Sequence, residues 1–210
     1  MKIELKNIQF SEHLSEETNA FAASLYIEGI KAGTASNRGR GGATDYRSSD
    51  DRGKKLIAEA EAYCKSLPPE KFNSGGKDHL MEMNLEGYID KLLLTHLGEK
   101  DKKQFQKKVE RAMDKGVVVG IPGKEFTLWA FNLPMEKVLQ HPKGPETIKS
   151  MLVKDILPKL IGENIIMNTN IPIKILQEAG LKESQYVKSI SNENIVKEQK
   201  KNSNPRRKTL

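Results

Sequence analysis

A glycine-rich segment over residues 37–46 carries the residue types best suited to contact a phosphate. It reads Asn-Arg-Gly-Arg-Gly-Gly-Ala-Thr-Asp-Tyr, so that Arg38 and Arg40 flank Gly39 and a glycine pair follows. Glycines let backbone amides approach a phosphate closely, and an arginine guanidinium binds it through two parallel hydrogen bonds. The segment therefore predicts a phosphate or nucleic-acid contact through Arg38 and Arg40, and the alternative is a solvated loop between strands.

The spacing of these glycines differs from the known nucleotide-binding fingerprints. A P-loop requires Gly, four residues and then Gly-Lys-Ser/Thr, which the segment lacks. A dinucleotide-binding GxGxxG motif that began at Gly39 would need glycine at position 44, where the chain has Thr44. Nucleotide binding by residues 37–45 is therefore kept as the third of three functional hypotheses.

A second basic element closes the chain. Residues 188–210 contain seven Lys or Arg and two acids, a net charge of +5, whereas the whole chain carries +7. Blocks of like charge are usually solvated and disordered, and some act as interaction arms. The sequence therefore predicts a basic, disordered tail over residues 188–210. Its candidate phosphate-binding residues are Lys200, Lys201, Arg206, Arg207 and Lys208.

Other reactive side chains have structural interpretations. Asp45, Asp50 and Asp51 are close enough in sequence to ligate a divalent metal, but helix capping explains Asp50 and Asp51 without one. The four histidines are far apart and form no zinc-binding motif. Cys64, the single cysteine, takes an apolar helical position and is predicted to be a buried core thiol. The sequence therefore predicts no metal site, no cofactor and no catalytic residue, and favours a protein that is not an enzyme.

Two further segments have both a nucleic-acid and a structural interpretation. Trp129 and Phe131 share one face of a predicted hairpin, where exposed aromatics would stack on bases, but apolar residues on the other face favour a strand buried on both sides. The segment from Lys100 to Lys115 has seven Lys or Arg against three acids. A basic helical face can contact a nucleic-acid backbone, but the interspersed acids favour a solvated face.

Hydrophobic periodicity predicts the elements that position these residues. Period-2 alternation with one phase slip predicts a strand over residues 3–10, and Phe21, Ala23, Leu25 and Ile27 share one face of a second strand that returns as a hairpin over 30–37. A second hairpin is expected over 117–131, a short strand over 165–167 and a flexible loop over 73–77. Helices are predicted over 49–67, 85–97, 105–113, 135–140, 148–161 and 172–180.

The order of these elements predicts an α+β fold. Strands come first, helices follow and a hairpin comes later, which indicates a mainly antiparallel sheet packed with several helices. The length suits a single α+β domain over residues 1–187, followed by the basic tail. The sequence shows neither a signal-peptide pattern nor an apolar run of membrane-spanning length, and one cysteine allows no intrachain disulfide. We therefore expect a cytoplasmic protein.

Five stretches within the first 69 residues carry a resemblance to known proteins. They are MKIELKNI at 1–8, LSEET at 14–18, ASNRG at 35–39, GGATDY at 41–46 and AEAYC at 60–64. In these stretches the chain resembles uncharacterised proteins of bacteriophages, prophages and mobile elements, especially those of gut Bacteroidota. The resemblance implies a bacterial host cell and an accessory role, and it assigns no catalytic residue.

Three functional hypotheses follow. The leading one is a non-enzymatic phage or mobile-element accessory protein that binds nucleic acid through its basic loop and tail. The alternative is a protein-binding module that inhibits or regulates a host or phage complex through a folded surface. The third is the nucleotide-binding protein that uses residues 37–45. None of the three involves a membrane.

Overall fold

The alternating apolar residues of the first fifty positions form a four-stranded antiparallel sheet. The computed structural model describes residues 1–188. The strands β1 (Ile3–Ser11), β2 (Ala20–Ile27), β3 (Ile30–Asn37) and β4 (Asp45–Ser48) are paired in chain order. The phase slip in the N-terminal alternation corresponds to a bulge in β1 between Lys6 and Gln9, where Asn7 has a φ of 53°. The first hairpin predicted from the sequence is confirmed.

One face of this sheet is buried and the other is open to solvent. Phe21, Ala23, Leu25 and Ile27 of β2 are buried, whereas the residues between them are exposed or half-buried. Helix α1 (Asp51–Lys65) lies against β2, β3 and β4. The first part of helix α2 (Leu85–Met113) adds Leu85, Ile89 and Leu93 to the same core.

The start and the interior of α1 match the sequence predictions. Asp50 is the N-cap, because its Oδ1 accepts a hydrogen bond of 2.6 Å from Gly53 N, and Asp51 lies in the first turn. Cys64 is fully buried in the core, as predicted. The two aspartates therefore act on the helix terminus, where side-chain acceptors and negative charge are stabilising.

Two predictions of local structure were wrong. The helices expected over 85–97 and 105–113 are one continuous helix, because an exposed Gly98 costs only about 1 kcal/mol relative to alanine and each half of α2 is anchored by buried residues. The loop expected over 73–77 is a hairpin of β5 (Glu70–Ser74) and β6 (Lys77–Met81). Gly75 and Gly76 both have positive φ, which suits a two-residue hairpin turn.

The second half of the described chain has a smaller sheet with its own cores. Strands β7 (Gly116–Ile121), β8 (Glu125–Ala130) and β9 (Ile165–Ile166) pair in the order β8-β7-β9, all antiparallel. Helices α3 (Met135–Gln140), α4 (Gly144–Met151) and α5 (Ile173–Glu178) complete it. A π-helical segment, Leu152–Ile156, and a 3₁₀ turn, Leu157–Lys159, follow α4.

The strand β8 packs apolar residues on both of its faces. Trp129 and Phe131 contact one core cluster, and Phe126 and Leu128 contact another. All four side chains are only half-buried, so the prediction of a strand buried on both sides is right about the contacts and wrong about the degree of burial. The aromatic pair is therefore part of the packing, with Lys159 Nζ 5.5 Å from the centroid of Trp129.

The α+β class and the mainly antiparallel sheet are confirmed. The structure divides into two compact units, the first spanning Met1–Lys100 and the second beginning at Asp101. A single domain over 1–187 stays a prediction, now with this division inside it. No helix among residues 1–188 is both long and apolar enough to cross a membrane.

Candidate nucleic-acid interface

The two arginines of the glycine-rich segment lie on the rim of one groove in the first unit. Arg38 and Arg40 are in the connection between β3 and β4, and both are exposed. They line a groove of about 630 Å³ above the ends of β1, β2 and β3. The structure therefore brings the two predicted residues to the same recess.

The floor of the groove is a row of residues across three strands. Gln9 pairs with Ala22 and Ala22 pairs with Ser36, so these three lie side by side on β1, β2 and β3. The small side chain of Ala22 leaves the middle of the row open. Leu14 adds apolar surface to the recess.

The charge of the groove is positive. Its lining includes Arg38 and Arg40, and Glu16 is the carboxylate found among its described lining residues. Within residues 1–188, neither arginine forms an ion pair with a carboxylate. The two guanidinium groups therefore retain their full hydrogen-bonding capacity for a phosphate.

Asn37 holds the loop in place through four hydrogen bonds. Its Oδ1 accepts from Thr18 Oγ1 at 2.9 Å and from Gly39 N at 2.8 Å. Its Nδ2 donates to Gly42 O at 2.9 Å and to Thr44 Oγ1 at 3.3 Å. The half-buried side chain of Asn37 thus joins the two ends of the arginine-bearing loop. It also attaches the loop to residues 15–19, which precede β2.

Gly39 fixes the position of the loop between its two arginines. Its carbonyl oxygen accepts hydrogen bonds from the amides of Glu16, Glu17 and Thr18 at 2.9, 3.0 and 3.4 Å. Its φ is +83°, and a Cβ at this position would lie 2.0 Å from the carbonyl oxygen of Leu14. Only glycine fits this close backbone approach, because any side chain would collide with backbone that cannot move aside cheaply.

The far end of the loop is attached to α2 through Thr44. Its backbone N–H donates to Glu86 Oε1 at 3.0 Å and its hydroxyl donates to Asp90 Oδ1 at 2.6 Å. Burial raises the pKa of Asp90, and the nearby Glu86 carboxylate adds to the rise, while the hydrogen bond from Thr44 opposes it. Thr44 itself is only 4% exposed, so this attachment is shielded from water.

Three of the seven backbone amides over residues 38–44 donate to side chains of the protein itself. Gly39 N donates to Asn37, Gly41 N donates to Thr18 Oγ1 at 3.3 Å, and Thr44 N donates to Glu86. A Cβ on Gly41 would lie 2.1 Å from a carboxylate oxygen of Glu17, which places negative charge beside the loop. These three amides are therefore not free to join the phosphate cradle that the nucleotide-binding hypothesis requires.

The remaining predicted site residues lie elsewhere. Lys200, Lys201, Arg206, Arg207 and Lys208 are outside the described residues. The basic segment from Lys100 to Lys115 is mainly the exposed second part of α2, and its buried positions are Val109, Ala112 and Met113. Over residues 1–188, no group of three or more His, Cys, Asp or Glu is arranged to hold a metal ion.

Sequence reasoning missed most of the groove. It identified the arginines from the glycine-rich segment but did not place Gln9, Ala22 or Ser36 beside them, because these residues meet only through strand register. The one available signal was the phase slip in β1, since a bulge often redirects side chains near a functional site. Comparison of the chain with protein-family models, with curated proteins and with solved structures found no match.

Proposed function

We propose that this chain is a non-enzymatic accessory protein of a phage or mobile element, and that it binds nucleic acid through the arginines of the groove and the basic tail. The observation that carries the proposal is the placement of Arg38 and Arg40, which are exposed on one rim with no carboxylate paired to them among residues 1–188. The phage or mobile-element setting rests on the resemblance of the first 69 residues.

The physical basis of the proposal is the release of counterions from a polyanion. Each arginine that neutralises a phosphate displaces condensed cations, so affinity falls linearly with salt on logarithmic axes. The loop backbone is already ordered by the hydrogen bonds of Asn37 and Gly39, so little backbone entropy is lost when the arginines bind. The planar guanidinium group of arginine also matches the bidentate geometry of a phosphate.

The test is the salt dependence of binding to a generic oligonucleotide, measured by fluorescence polarisation. Replacing Arg38 and Arg40 with alanine removes two phosphate contacts, so the slope of log K against log salt is expected to become shallower by about 1.4–1.8. The matched control replaces Arg52 and Lys55, two exposed cations of α1, with alanine. The control has the same net charge and is expected to keep most of the slope.

The contribution of the tail is measured separately in the full-length chain. Glutamine replaces five residues at once: Lys200, Lys201, Arg206, Arg207 and Lys208. This variant is expected to lower affinity further, independently of the groove variant. If the parent protein binds with no loss of affinity between low and moderate salt, or if the groove and control variants lose affinity equally, the proposal is wrong.

A different observation favours the alternative hypothesis of a protein-binding module. The hairpin of β5 and β6 exposes Phe72, Leu80 and Met81, which are 46%, 67% and 51% exposed. The outer edges of this two-stranded sheet pair with no other described strand. Exposed apolar side chains beside open strand edges are typical of protein contact sites. Replacing Phe72 and Leu80 with serine would then abolish capture of a defined stoichiometric partner that survives nuclease treatment, while the groove variant would not.

A further inference from the structure

We infer that the open face of the four-stranded sheet continues the nucleic-acid interface beyond the groove, as far as Lys31 and Arg47. The inference rests on the proposed function and specifies the path of the phosphate backbone over the protein. Two features of the described residues carry it: the strand register that aligns further cations with the groove, and the excess of cations over acids on this face.

Strand register extends the floor of the groove into a second row of side chains. Ser24 of β2 pairs with Lys6 of β1 and with Thr34 of β3, and Thr34 pairs with Arg47 of β4. Because Ser24 and Ala22 are two residues apart in one strand, this row lies on the same face of the sheet as the floor of the groove. The second row therefore places a cation on each edge strand and a hydroxyl on each central strand.

A third row adds another cation to the open face. Tyr26 of β2 pairs with Glu4 of β1 and with Lys31 of β3. Lys6 Nζ lies 4.2 Å from the centroid of the Tyr26 ring, as expected for two side chains on the same face of the sheet. The carboxylate of Glu4 is 3.0 Å from Lys2 Nζ, so its charge is offset locally. The third row therefore contributes the exposed positive charge of Lys31.

Cations outnumber acids on the open face. Lys6, Lys31 and Arg47 lie on it and, within residues 1–188, none of the three forms an ion pair with a carboxylate. Asp45, which pairs with Ser36, is the acid of β4. Helix α1, which packs on the opposite face, carries four Lys or Arg and three acids, so its charges nearly cancel. The charge of the open face therefore favours a polyanion as its ligand.

The dimensions of the face suit a phosphodiester backbone rather than a single anion. Residues 31–37 of β3 span about 20 Å at about 3.3 Å per residue. One strand of duplex DNA carries about six phosphates over that length, at about one per 3.4 Å. The strands of Lys6 and Arg47 are three spacings apart, about 14 Å, and the short side chains of Ser24 and Thr34 lie between them. A backbone between the two cations therefore meets hydroxyls that donate hydrogen bonds to its phosphate oxygens.

The first test removes two cations that lie beyond the groove. Fluorescence polarisation measures binding of full-length protein to two probes that exceed the length of the face, an oligo-dT of about 12 nucleotides and a DNA duplex of about 12 base pairs. In Lys31→Ala with Arg47→Ala, the slope of log K against log salt is expected to become shallower by about 1.4 for the single strand and about 1.8 for the duplex. The control, Arg52→Ala with Lys55→Ala on α1, has the same net charge and is expected to keep most of the slope.

The second test places a negative charge in the middle of the face. Thr34 is exposed on β3, so Thr34→Glu sets a carboxylate where the backbone would lie. It is expected to weaken binding of both probes by roughly five-fold or more at low salt, which is the size of one close charge pair in water. Thr127→Glu makes the same change at an exposed position of β8 in the second unit, and it is expected to have a much smaller effect.

The third test removes the acid of β4 and has the opposite sign. Asp45→Asn takes away a charge that repels a phosphate backbone, so it is expected to tighten binding by roughly two-fold or more at low salt. Glu59→Gln removes the same charge from α1, on the other side of the sheet, and is expected to have a smaller effect. Misfolding cannot raise affinity, so this variant keeps the inference open to refutation even if another variant is unstable.

The outcomes distinguish this inference from the proposed function. If the Arg38 and Arg40 variant weakens binding while the Lys31 and Arg47 variant behaves like its control, the backbone leaves the groove in another direction. The inference is then wrong and nucleic-acid binding stands. The same holds if Thr34→Glu weakens binding no more than its control does, or if Asp45→Asn fails to tighten it. Absence of binding to both probes would overturn the proposed function itself, and this inference with it.

Discussion

Replacing Asn37 with alanine is expected to release the arginine-bearing loop and to lower the stability of the first unit. The side chain makes four hydrogen bonds, two as acceptor and two as donor. A typical intramolecular hydrogen bond contributes about 0.5–1.5 kcal/mol net, so the four together give about 2–6 kcal/mol. Water replaces part of this, because Asn37 is half-buried and Gly42 is exposed. The expected loss is therefore about 2–3 kcal/mol.

The assay combines urea unfolding with hydrogen exchange. Far-ultraviolet circular dichroism follows both units, whereas fluorescence of Trp129 reports on the second unit alone. The circular dichroism transition is expected to move to lower urea while the fluorescence transition stays. The amides that donate to the Gly39 carbonyl, over residues 16–18, are expected to lose protection from exchange.

Two further variants test whether the hydrogen bonds of Asn37 are the cause. Asn73→Ala removes one exposed bond, from Asn73 Nδ2 to Asp78 Oδ1 at 3.0 Å, and is expected to change the free energy of unfolding by less than about 0.5 kcal/mol. Asn37→Asp keeps both acceptor bonds and loses both donor bonds, so its loss should be intermediate. If Asn37→Ala costs no more than Asn73→Ala and residues 16–18 stay protected, the loop is not held as described.

Three other predictions concern titratable groups whose pKa is raised by partial or full burial. Burial raises the pKa of Asp90, so the folded protein keeps that proton to higher pH than the unfolded chain does, and stability is lost as the pH rises through the raised pKa. The variant Asp90→Asn keeps an oxygen that accepts from Thr44, so it is expected to melt at a higher temperature than the parent at neutral pH but not in acid. A lower melting temperature of the variant at neutral pH would contradict this. Burial and the hydrogen bond of 2.8 Å to Glu61 raise the pKa of Tyr46 to about 12. One of the five tyrosines is thus expected to ionise at higher pH than the others in a spectrophotometric titration, with a loss of stability between about pH 10 and 12. If the late ionisation persists in Tyr46→Phe, it belongs to another tyrosine. Burial also raises the pKa of the Cys64 thiol, so a thiol reagent is expected to label it only in denaturant, and rapid labelling of the native protein would show that the site opens.

Local patterns were sufficient to predict most of the elements. The alternation in β2 predicted its buried face because a strand turns successive side chains to opposite sides of the sheet. Asp50 was predicted as a cap because free amides at a helix start need an acceptor. Gly98 misled the prediction of α2, since the cost of one exposed glycine is small beside the buried contacts of both halves.

The candidate site shows where local patterns stop. The sequence alone determined the α+β class, the buried thiol of Cys64, and the choice of Arg38 and Arg40 as phosphate-binding candidates, because each depends on composition or on spacing within one segment. Only the tertiary structure decided that the two arginines share a groove with Gln9 and Ser36 and that three of the loop amides already donate to Asn37, Thr18 and Glu86. These facts join residues that lie up to tens of positions apart, and they depend on strand register and on a bulge. The phase slip of β1 is a local signal of the bulge, but register is not encoded by any single segment, because it is settled by which faces are buried together when the sheet packs on its helices.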